Sequence, residues 1–216
     1  MTKYIIYILL YTLTSCSSRN EWTCEGDCED GIGKKIWSNG GIDSGKWSNG
    51  ELNGKGKQLL PPNSKFSGDI YVGEFKDGFY EGKGIYFDKS KDGHYTGDFT
   101  NGLPNGKGKG VFGEKYEHPK MYYEGQYKNG LYEGHGTIYW GENGEYAHDK
   151  YIGEWKEGLM HGYGKYYFSN GDHFEGPWQN NSQHGDGIYV FSNGDTLKGH
   201  WDDGYCQELA KRLGLE

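Results

Sequence analysis

Residue types that carry out chemistry are present in this sequence, but their spacing does not form a catalytic or metal-binding group. Of the eight histidines, His161 and His184 fall where a predicted turn meets a strand, and the others scatter along the chain. A nucleophile needs a base within hydrogen-bond reach, and no G-x-S-x-G or comparable pairing occurs. The run Gly106-Lys-Gly-Lys-Gly110 has the glycines of a phosphate-binding loop, but no helix is predicted to follow it. We therefore expect no catalytic residue, no cofactor, no metal ion and no enzymatic activity.

Two of the four cysteines, Cys24 and Cys28, are close enough in sequence to form a disulfide. On a straight strand they would lie about 13 Å apart, which is too far for the bond. A tight turn at Gly26-Asp27 would bring them together, and a compartment outside the cytoplasm would permit the disulfide. Two small buried residues are the alternative, and further ligands at zinc spacing are missing. Cys206 is the odd thiol, and we expect it to be buried.

The N-terminal residues differ in composition from the rest of the chain. An apolar run from Tyr4 to Leu13 is too short to span a bilayer as a helix and matches the apolar region of a signal peptide. The sequence Leu13-Thr-Ser-Cys16 that ends it resembles the bacterial lipobox, in which the peptide is cut before the cysteine and acyl chains are added to it. The resemblance implies a signal peptide at residues 1–15 and an acylated Cys16 with a tether at residues 16–21. An ordinary secretory signal with an incidental cysteine is the alternative.

The lipobox resemblance also implies a location. Two or three acyl chains together anchor a protein stably to a membrane. Ser17 follows the cysteine, whereas an aspartate there would signal retention in the inner membrane of some Gram-negative bacteria. We therefore expect an extracytoplasmic protein that is lipid-anchored to the bacterial membrane, with the outer membrane favoured.

A repeat of 23 residues, lengthened by insertions, accounts for nearly all of the chain after the tether. Each repeat has an anchor glycine with an aromatic residue two positions before and two after it, and further glycines at plus 5, plus 9 and plus 11. The stretch from Tyr151 to Gly171 shows the pattern most clearly. Such self-similarity is the signature of a repeat architecture. The anchors are Gly45, Gly73, Gly97, Gly125, Gly153, Gly176 and Gly199.

Each repeat is predicted to be a β-hairpin. Aromatic residues and glycines alternate with polar residues, which is typical of strands with one buried face. Asn-Gly and Asp-Gly pairs such as Asn49-Gly50 at plus 4 and plus 5 favour tight turns. Glycine weakens a strand unless something must approach closely, so we expect a ring from the adjacent strand to lie over each anchor glycine. The outward positions plus 1 and plus 3 are polar and mixed in sign, and we expect that face to be solvated.

Composition favours an extended sheet over a spherical core. Only 33% of residues are hydrophobic and the mean hydropathy is -0.94, values typical of disorder, but 17% are aromatic. Each ring can bury about 150 to 250 Å², so a thin sheet in which repeats contact only their neighbours could stay ordered. A net charge of -8 without a Lys/Arg run gives no sign of nucleic-acid binding and disfavours direct contact with anionic lipid.

The pattern Y-x-G-x-W-x-x-G-x-x-x-G-x-G resembles the MORN repeat (membrane occupation and recognition nexus). The resemblance covers residues 22–204, in six full repeats with partial repeats at both ends. It departs from the pattern at Asp43, at Pro177 and at Asn181. It implies an all-β fold: an elongated single-layer antiparallel sheet of consecutive β-hairpin repeats. Residues 205–216 are predicted to form a short capping helix over the last strand, with Tyr205, Leu209 and Leu213 on the packed face.

The family resemblance implies protein contacts, self-association or positioning near a membrane. The leading hypothesis is a protein-binding or scaffolding module, anchored to the membrane through Cys16. The alternative is a module that binds glycan or peptidoglycan through exposed rings. MORN repeats also occur beside plant lipid kinase domains, but this sequence has no kinase motif and no room for a kinase domain. The candidate binding-face aromatics are Tyr71, Phe75, Tyr95, Phe99, Tyr123, Tyr127, Tyr151, Trp155, Trp178 and Trp201.

Overall fold

The computed structural model describes residues 21–116 and 118–215. The predicted signal peptide, Cys16 and the tether up to residue 20 lie outside the described residues. The described chain divides into two compact bodies. We call residues 21–116 the N-terminal body and residues 118–215 the C-terminal body.

The N-terminal body is an open antiparallel sheet in which each strand pairs with the next strand in the chain. The first hairpin belongs to the degenerate repeat, and each of the following three hairpins contains one anchor glycine. The strands are β1 (Trp22–Gly26), β2 (Ile32–Trp37), β3 (Ile42–Ser48), β4 (Glu51–Leu59), β5 (Ile70–Lys76), β6 (Phe79–Asp88), β7 (Gly93–Thr100) and β8 (Leu103–Val111).

The C-terminal body continues the same scheme. Its strands also pair antiparallel in chain order, and β13 pairs with both β14 and β15. The elements are β9 (Tyr122–Lys128), β10 (Leu131–Tyr139), β11 (Lys150–Lys156), β12 (Leu159–Tyr167), β13 (His173–Gln179), β14 (Ser182–Gln183), β15 (Gly185–Val190), β16 (Thr196–Trp201) and the helix α1 (Gln207–Leu213). The prediction of an all-β chain of consecutive antiparallel hairpins with one short C-terminal helix is confirmed for the described residues.

The tight turns have the backbone geometry that their residues predict. Asn49 and Gly50 both have positive φ, at 50° and 77°, as a type I′ turn requires. The sixth full repeat has Asn181 where the others have glycine, and this residue also adopts positive φ, at 73°. Its side-chain oxygen accepts a 2.8 Å hydrogen bond from the backbone N–H of Met160. The departure at Asn181 therefore keeps the turn.

The glycines at plus 9 have a backbone role that was not predicted. Gly82, Gly134 and Gly162 have φ of 58°, 58° and 60°. In these hairpins the pairing register shifts at this point, so the glycine is part of a β-bulge. A left-handed conformation at a bulge favours glycine because it has no Cβ.

The anchor glycine and the glycine at plus 11 share one tyrosine ring. Tyr71 is 0% exposed, and its ring covers both Gly73 on its own strand and Gly84 on the neighbouring strand. A Cβ on Gly84 would lie 2.5 Å from Cε2 of Tyr71, which leaves no room for any side chain. Tyr151 covers Gly153 and Gly164 in the same way. The predicted ring-over-glycine packing is therefore present, but the ring over the anchor glycine comes from the same strand, and the prediction of the adjacent strand was wrong there.

Cysteine sulfurs take the place of a ring at two glycines. A Cβ on Gly33 would lie 2.8 Å from Sγ of Cys28, and a Cβ on Gly199 would lie 2.6 Å from Sγ of Cys206. Both sulfurs belong to buried residues. In the atypical first and last repeats, a cysteine sulfur thus covers the glycine where an aromatic ring covers it in repeats such as that of Tyr151.

The C-terminal helix packs on β16 with a different face from the one predicted. Cys206 and Ala210 are buried, whereas Tyr205 is 58% and Leu213 is 51% exposed. The helix begins only at Gln207, so the i and i+4 positions that reach the sheet are Cys206 and Ala210. The predicted face of Tyr205, Leu209 and Leu213 was wrong, because it assumed that the helix began two residues earlier.

Candidate contact surface

The ten candidate binding-face aromatics form the core of the two bodies. Each is between 0% and 6% exposed. Tyr123 shows why: its ring stacks on Tyr132 at 3.7 Å between centroids and meets Trp155 edge-on at 5.4 Å. The ring of Tyr123 is thus covered by its own hairpin and by the next one, and the low exposure of all ten rings leaves no ring face open to a sugar. The prediction that they form an exposed binding face was wrong. These residues are Tyr71, Phe75, Tyr95, Phe99, Tyr123, Tyr127, Tyr151, Trp155, Trp178 and Trp201.

Buried tyrosine–aspartate pairs, which were not predicted, close the ends of three hairpins. In each, a tyrosine 13 residues after the anchor donates its hydroxyl proton to an aspartate four residues before the anchor. The aspartate also accepts a backbone N–H from the connection that follows the second strand. The recurring offsets were the available signal. The pairs are Tyr86–Asp69 at 2.6 Å, Tyr166–Asp149 at 2.5 Å and Tyr189–Asp172 at 2.6 Å.

The water-facing side of the N-terminal body carries a continuous line of apolar side chains, one on each of five neighbouring strands. The pairing register places each residue directly opposite the next, from β2 to β6. Val72 and Ile85 form a second apolar pair beside the line. The exposed fractions of Phe87 and Val72 are 42% and 41%, so apolar side chains accompany the predicted polar ones on this face. The apolar row consists of Ile36, Ile42, Leu59, Ile70 and Phe87.

Four lysines from β2, β3 and β4 lie on the same side of the N-terminal body. Lys34 and Lys57 both lie opposite Ser44, and Lys46 packs beside the bulge at Gly54. Lys34 forms an exposed ion pair with Glu25 at 3.2 Å. The sequence has no lysine run, yet the sheet brings these lysines together. We call Lys34, Lys46, Lys55 and Lys57 the lysine cluster.

The water-facing side of the C-terminal body has an open depression of about 490 Å³. Its floor is the backbone of the glycine line at Gly153 and Gly164, where no side chain rises. Ile152 and Tyr163 on its wall are 42% and 54% exposed. Lys165 lies 3.7 Å from Glu175 on the same wall, so the depression is both apolar and charged.

A row of aromatic side chains runs beside this depression on the same side of the sheet. Tyr122 and Tyr139 lie 5.8 Å apart with only 30° between their planes, and Tyr167 and His173 lie 5.6 Å apart at 33°. Lys150 lies 4.5 Å from the centroid of Tyr167. The rings of this row therefore pack against one another and against the lysine along the sheet.

The structure joins Cys24 and Cys28 in a disulfide with a Cα–Cα distance of 6.2 Å. The turn between them uses Gly26 at φ 87°. Cys206 is a free, buried thiol, and burial raises its pKa. Within residues 21–116 and 118–215, no group of histidine, cysteine and acidic residues could hold a metal ion, and no helix is long and apolar enough to cross a bilayer.

Six segments of the chain match the MORN repeat family: residues 44–65, 71–92, 95–109, 123–145, 151–173 and 174–196. No curated protein matches the sequence. Among solved structures, the chain is similar to the wild-type TCP10 domain of Danio rerio CPAP, with 9% identity and a TM-score of 0.29, over 85% of this chain and 98% of that one. The six matched segments together span more than half of the sequence, and the chain belongs to the MORN repeat family.

Proposed function

We propose that the protein is a protein-binding module, held outside the cytoplasm at a membrane by acyl chains on Cys16. One observation carries the binding proposal: the core rings are buried, while the opposite side of the sheet exposes apolar side chains in rows. Exposed apolar patches with polar borders mark contact sites. The family supports a binding role over a catalytic one.

The sheet is suited to present such a surface because its backbone is fixed at many points. The turn at Asn101-Gly102 has positive φ at both residues, and Tyr95 packs onto Gly97 and Gly108 across the same hairpin. A surface built on fixed strands loses little conformational entropy when a partner binds. Val72 and Phe87 are then available to a partner on the N-terminal body, and Ile152 is available on the C-terminal body.

Photo-crosslinking in intact cells tests the proposal. A photoreactive amino acid at Val72 or Ile152 lies on the water-facing side, whereas the exposed loop residues Lys115 and Glu145 serve as controls in the two bodies. We expect discrete protein adducts at Val72 or Ile152 and weak or diffuse adducts at the controls, identified by mass spectrometry.

Two outcomes contradict the proposal. Adducts confined to Lys115 and Glu145 would move the contact to the inserted loops. Firm retention on isolated peptidoglycan without any protein adduct would favour glycan binding instead.

A further inference from the structure

The proposed function leaves the chemistry of the partner open, and two adjoining features of the N-terminal body specify it. These are the apolar row and the lysine cluster. We infer that this side of the body is a docking site for an amphipathic helix of a partner protein whose apolar stripe is bordered by Asp or Glu residues. The inference rests on the proposed function, because it names the surface and the partner chemistry of the same module.

Strand spacing favours a helix as the occupant. The apolar row places one side chain on each of five neighbouring strands, which are spaced by about 4.8 Å. A helix repeats its apolar stripe once per turn, about every 5.4 Å, so successive turns can sit over successive strands. An extended segment repeats its same-side residues about every 6.6 Å, so its side chains fall out of step with the strands sooner than those of a helix. Five strands span about 19 Å, which is the length of about 13 helical residues.

Apolar surface is accessible to a partner along the whole apolar row. Phe87 stands at one end with 42% of its surface exposed, and Val72 beside it is 41% exposed. The other four residues of the apolar row are partly exposed: Ile36, Ile42, Leu59 and Ile70. A helix lying along the row would therefore cover apolar surface on every strand, and hydrophobic burial would supply the affinity.

The lysine cluster sets the sign of the partner's charge. Lys46, Lys55 and Lys57 are exposed, and among residues 21–116 and 118–215 no carboxylate lies within salt-bridge distance of their ammonium groups. Four lysines here face two carboxylates in the pairing register, Glu25 opposite Lys34 and Glu74 opposite Lys55, so the site is locally positive on a chain with a net charge of -8. Complementary charge steers association and fixes orientation, and acidic side chains along one border of the helix would face these lysines. The overall negative charge opposes approach to an anionic bilayer, which favours a protein segment.

A designed peptide provides the probe. It has 16 residues, leucines at i, i+3, i+4 and i+7 positions, and glutamates along one border of the leucine stripe. Two matched peptides carry glutamine for each glutamate or the same residues in scrambled order. Binding to the purified full chain is measured by fluorescence anisotropy at low and high salt. We expect the glutamate peptide to bind, the scrambled peptide not to bind, and the affinity to fall with salt.

Variants of the chain locate the site. K55E/K57E should weaken binding of the glutamate peptide about tenfold, since each lost exposed ion pair contributes up to about 1 kcal/mol. The control K128E/K156E makes the same charge change at exposed lysines of the C-terminal body and should change the affinity less than about twofold. Phe87→Asn should weaken all helical peptides alike, and unchanged melting curves verify that each variant is folded.

The inference is overturned if the scrambled or glutamine peptide binds as well as the glutamate peptide, or if the two double variants weaken binding equally. It is also overturned if K55E/K57E abolishes binding to phosphatidylglycerol vesicles while the peptide never binds, because the site would then serve a lipid surface. Protein adducts at Val72 that persist when the peptide tests fail would leave the proposed function standing. Absence of every adduct would instead remove the proposed function itself.

Discussion

The hydroxyl of Tyr189 donates a 2.6 Å hydrogen bond to the carboxylate of Asp172, which also accepts the backbone N–H of Ser192 at 2.8 Å. Strands β13 and β15 are paired. These hydrogen bonds link Asp172, in the loop before β13, to β15 and to the loop that follows it. Hydrogen bonds to a charged group contribute about 1.5 to 3 kcal/mol. We expect Tyr189→Phe to lower the free energy of unfolding by about that amount in urea titrations. The control Tyr163→Phe removes an exposed hydroxyl, 3.4 Å from Glu175, and should change stability by less than about 0.5 kcal/mol. Equal effects would contradict a stabilising role for the buried pair.

The same pair predicts how stability depends on acid. Burial opposes the charge on Asp172, but hydrogen bonds from Tyr189, from the backbone of Ser192 and from Asn170 outweigh it and lower the pKa of the carboxyl. A lowered pKa means that the folded protein binds fewer protons than the unfolded chain near pH 4. Stability is therefore present above about pH 4 and is lost as the pH falls through the folded pKa. In Tyr189→Phe the folded pKa of Asp172 should move up toward that of the unfolded chain, so the stability lost on acidification should be smaller than in the native protein, measured by urea unfolding between pH 3 and 7. An unchanged profile would contradict the assignment.

Buried tyrosines predict unfolding at high pH. Burial, reinforced by nearby acidic groups, raises the pKa of Tyr71, Tyr86 and Tyr166 well above 10. In the unfolded chain these phenols ionise near pH 10, so above that pH the unfolded state binds fewer protons and folding loses about 1.4 kcal/mol per pH unit for each such phenol. Absorbance at 295 nm should show phenols that ionise only as the protein unfolds, in step with the loss of circular dichroism. The same titration in urea should be a single wave near pH 10, and identical curves would refute burial.

Two glycines separate ring packing from backbone geometry. Gly84 has no positive φ and has the Tyr71 ring against its Cα, whereas Gly102 has φ 81° and open space around it, with no atom within 4 Å of where a Cβ would lie. Gly84→Ala should destabilise by about 1 to 3 kcal/mol through overpacking. Gly102→Ala should destabilise by about 1 to 2 kcal/mol through strain alone.

A double-variant test identifies the cause at each of these glycines. Tyr71→Leu should reduce the effect of Gly84→Ala because the smaller side chain frees space, and it should leave the effect of Gly102→Ala unchanged. Urea unfolding of the single and double variants measures the coupling energy. Additive effects of Tyr71→Leu and Gly84→Ala would rule out ring-over-glycine packing as the reason for glycine there.

The hairpins were predictable from sequence because their signals are local. Alternation of residue types sets the strands, and a pair such as Asn129-Gly130 sets a turn that allows positive φ. The sequence did not distinguish the bulge glycine at plus 9 from the ring-covered glycine at plus 11. Both positions hold glycine, although the physical reasons differ. Gly162 is chosen for its φ of 60° and Gly164 for the tyrosine ring above it.

The candidate surface was less predictable because it depends on register between strands. Ile42 and Leu59 are at opposite ends of one hairpin sequence and an insertion separates Leu59 from Ile70, so the three meet only when each strand pairs with the next at one offset. A slip of one residue would move each of them to the other face. The alternation predicted that rings such as Tyr123 are buried, but it did not show that Trp155 of the next repeat covers this ring.

The disulfide predicts a local effect on the first strand. Reduction, or the double variant Cys24→Ser/Cys28→Ser, removes a link that closes a loop of five residues. The chain-entropy relation gives about 2 kcal/mol for so short a loop. We expect faster amide hydrogen exchange in β1 and its turn to Gly31, with exchange in β5 unchanged. Uniformly faster exchange in both strands would contradict a local role.

Acylation of Cys16 is the proposal on which the location of the protein depends. The full chain with Cys16→Ser should move from the membrane fraction to the soluble extracytoplasmic fraction, because the serine hydroxyl cannot form the thioether that carries the acyl chains. The control Ser17→Ala alters the neighbouring residue and should leave the protein in the membrane fraction. Fractionation and detergent partitioning measure both variants, with the melting curve as a check of folding. Detergent partitioning of Cys16→Ser that matches the native chain would refute acylation and leave the contact surface without a membrane anchor.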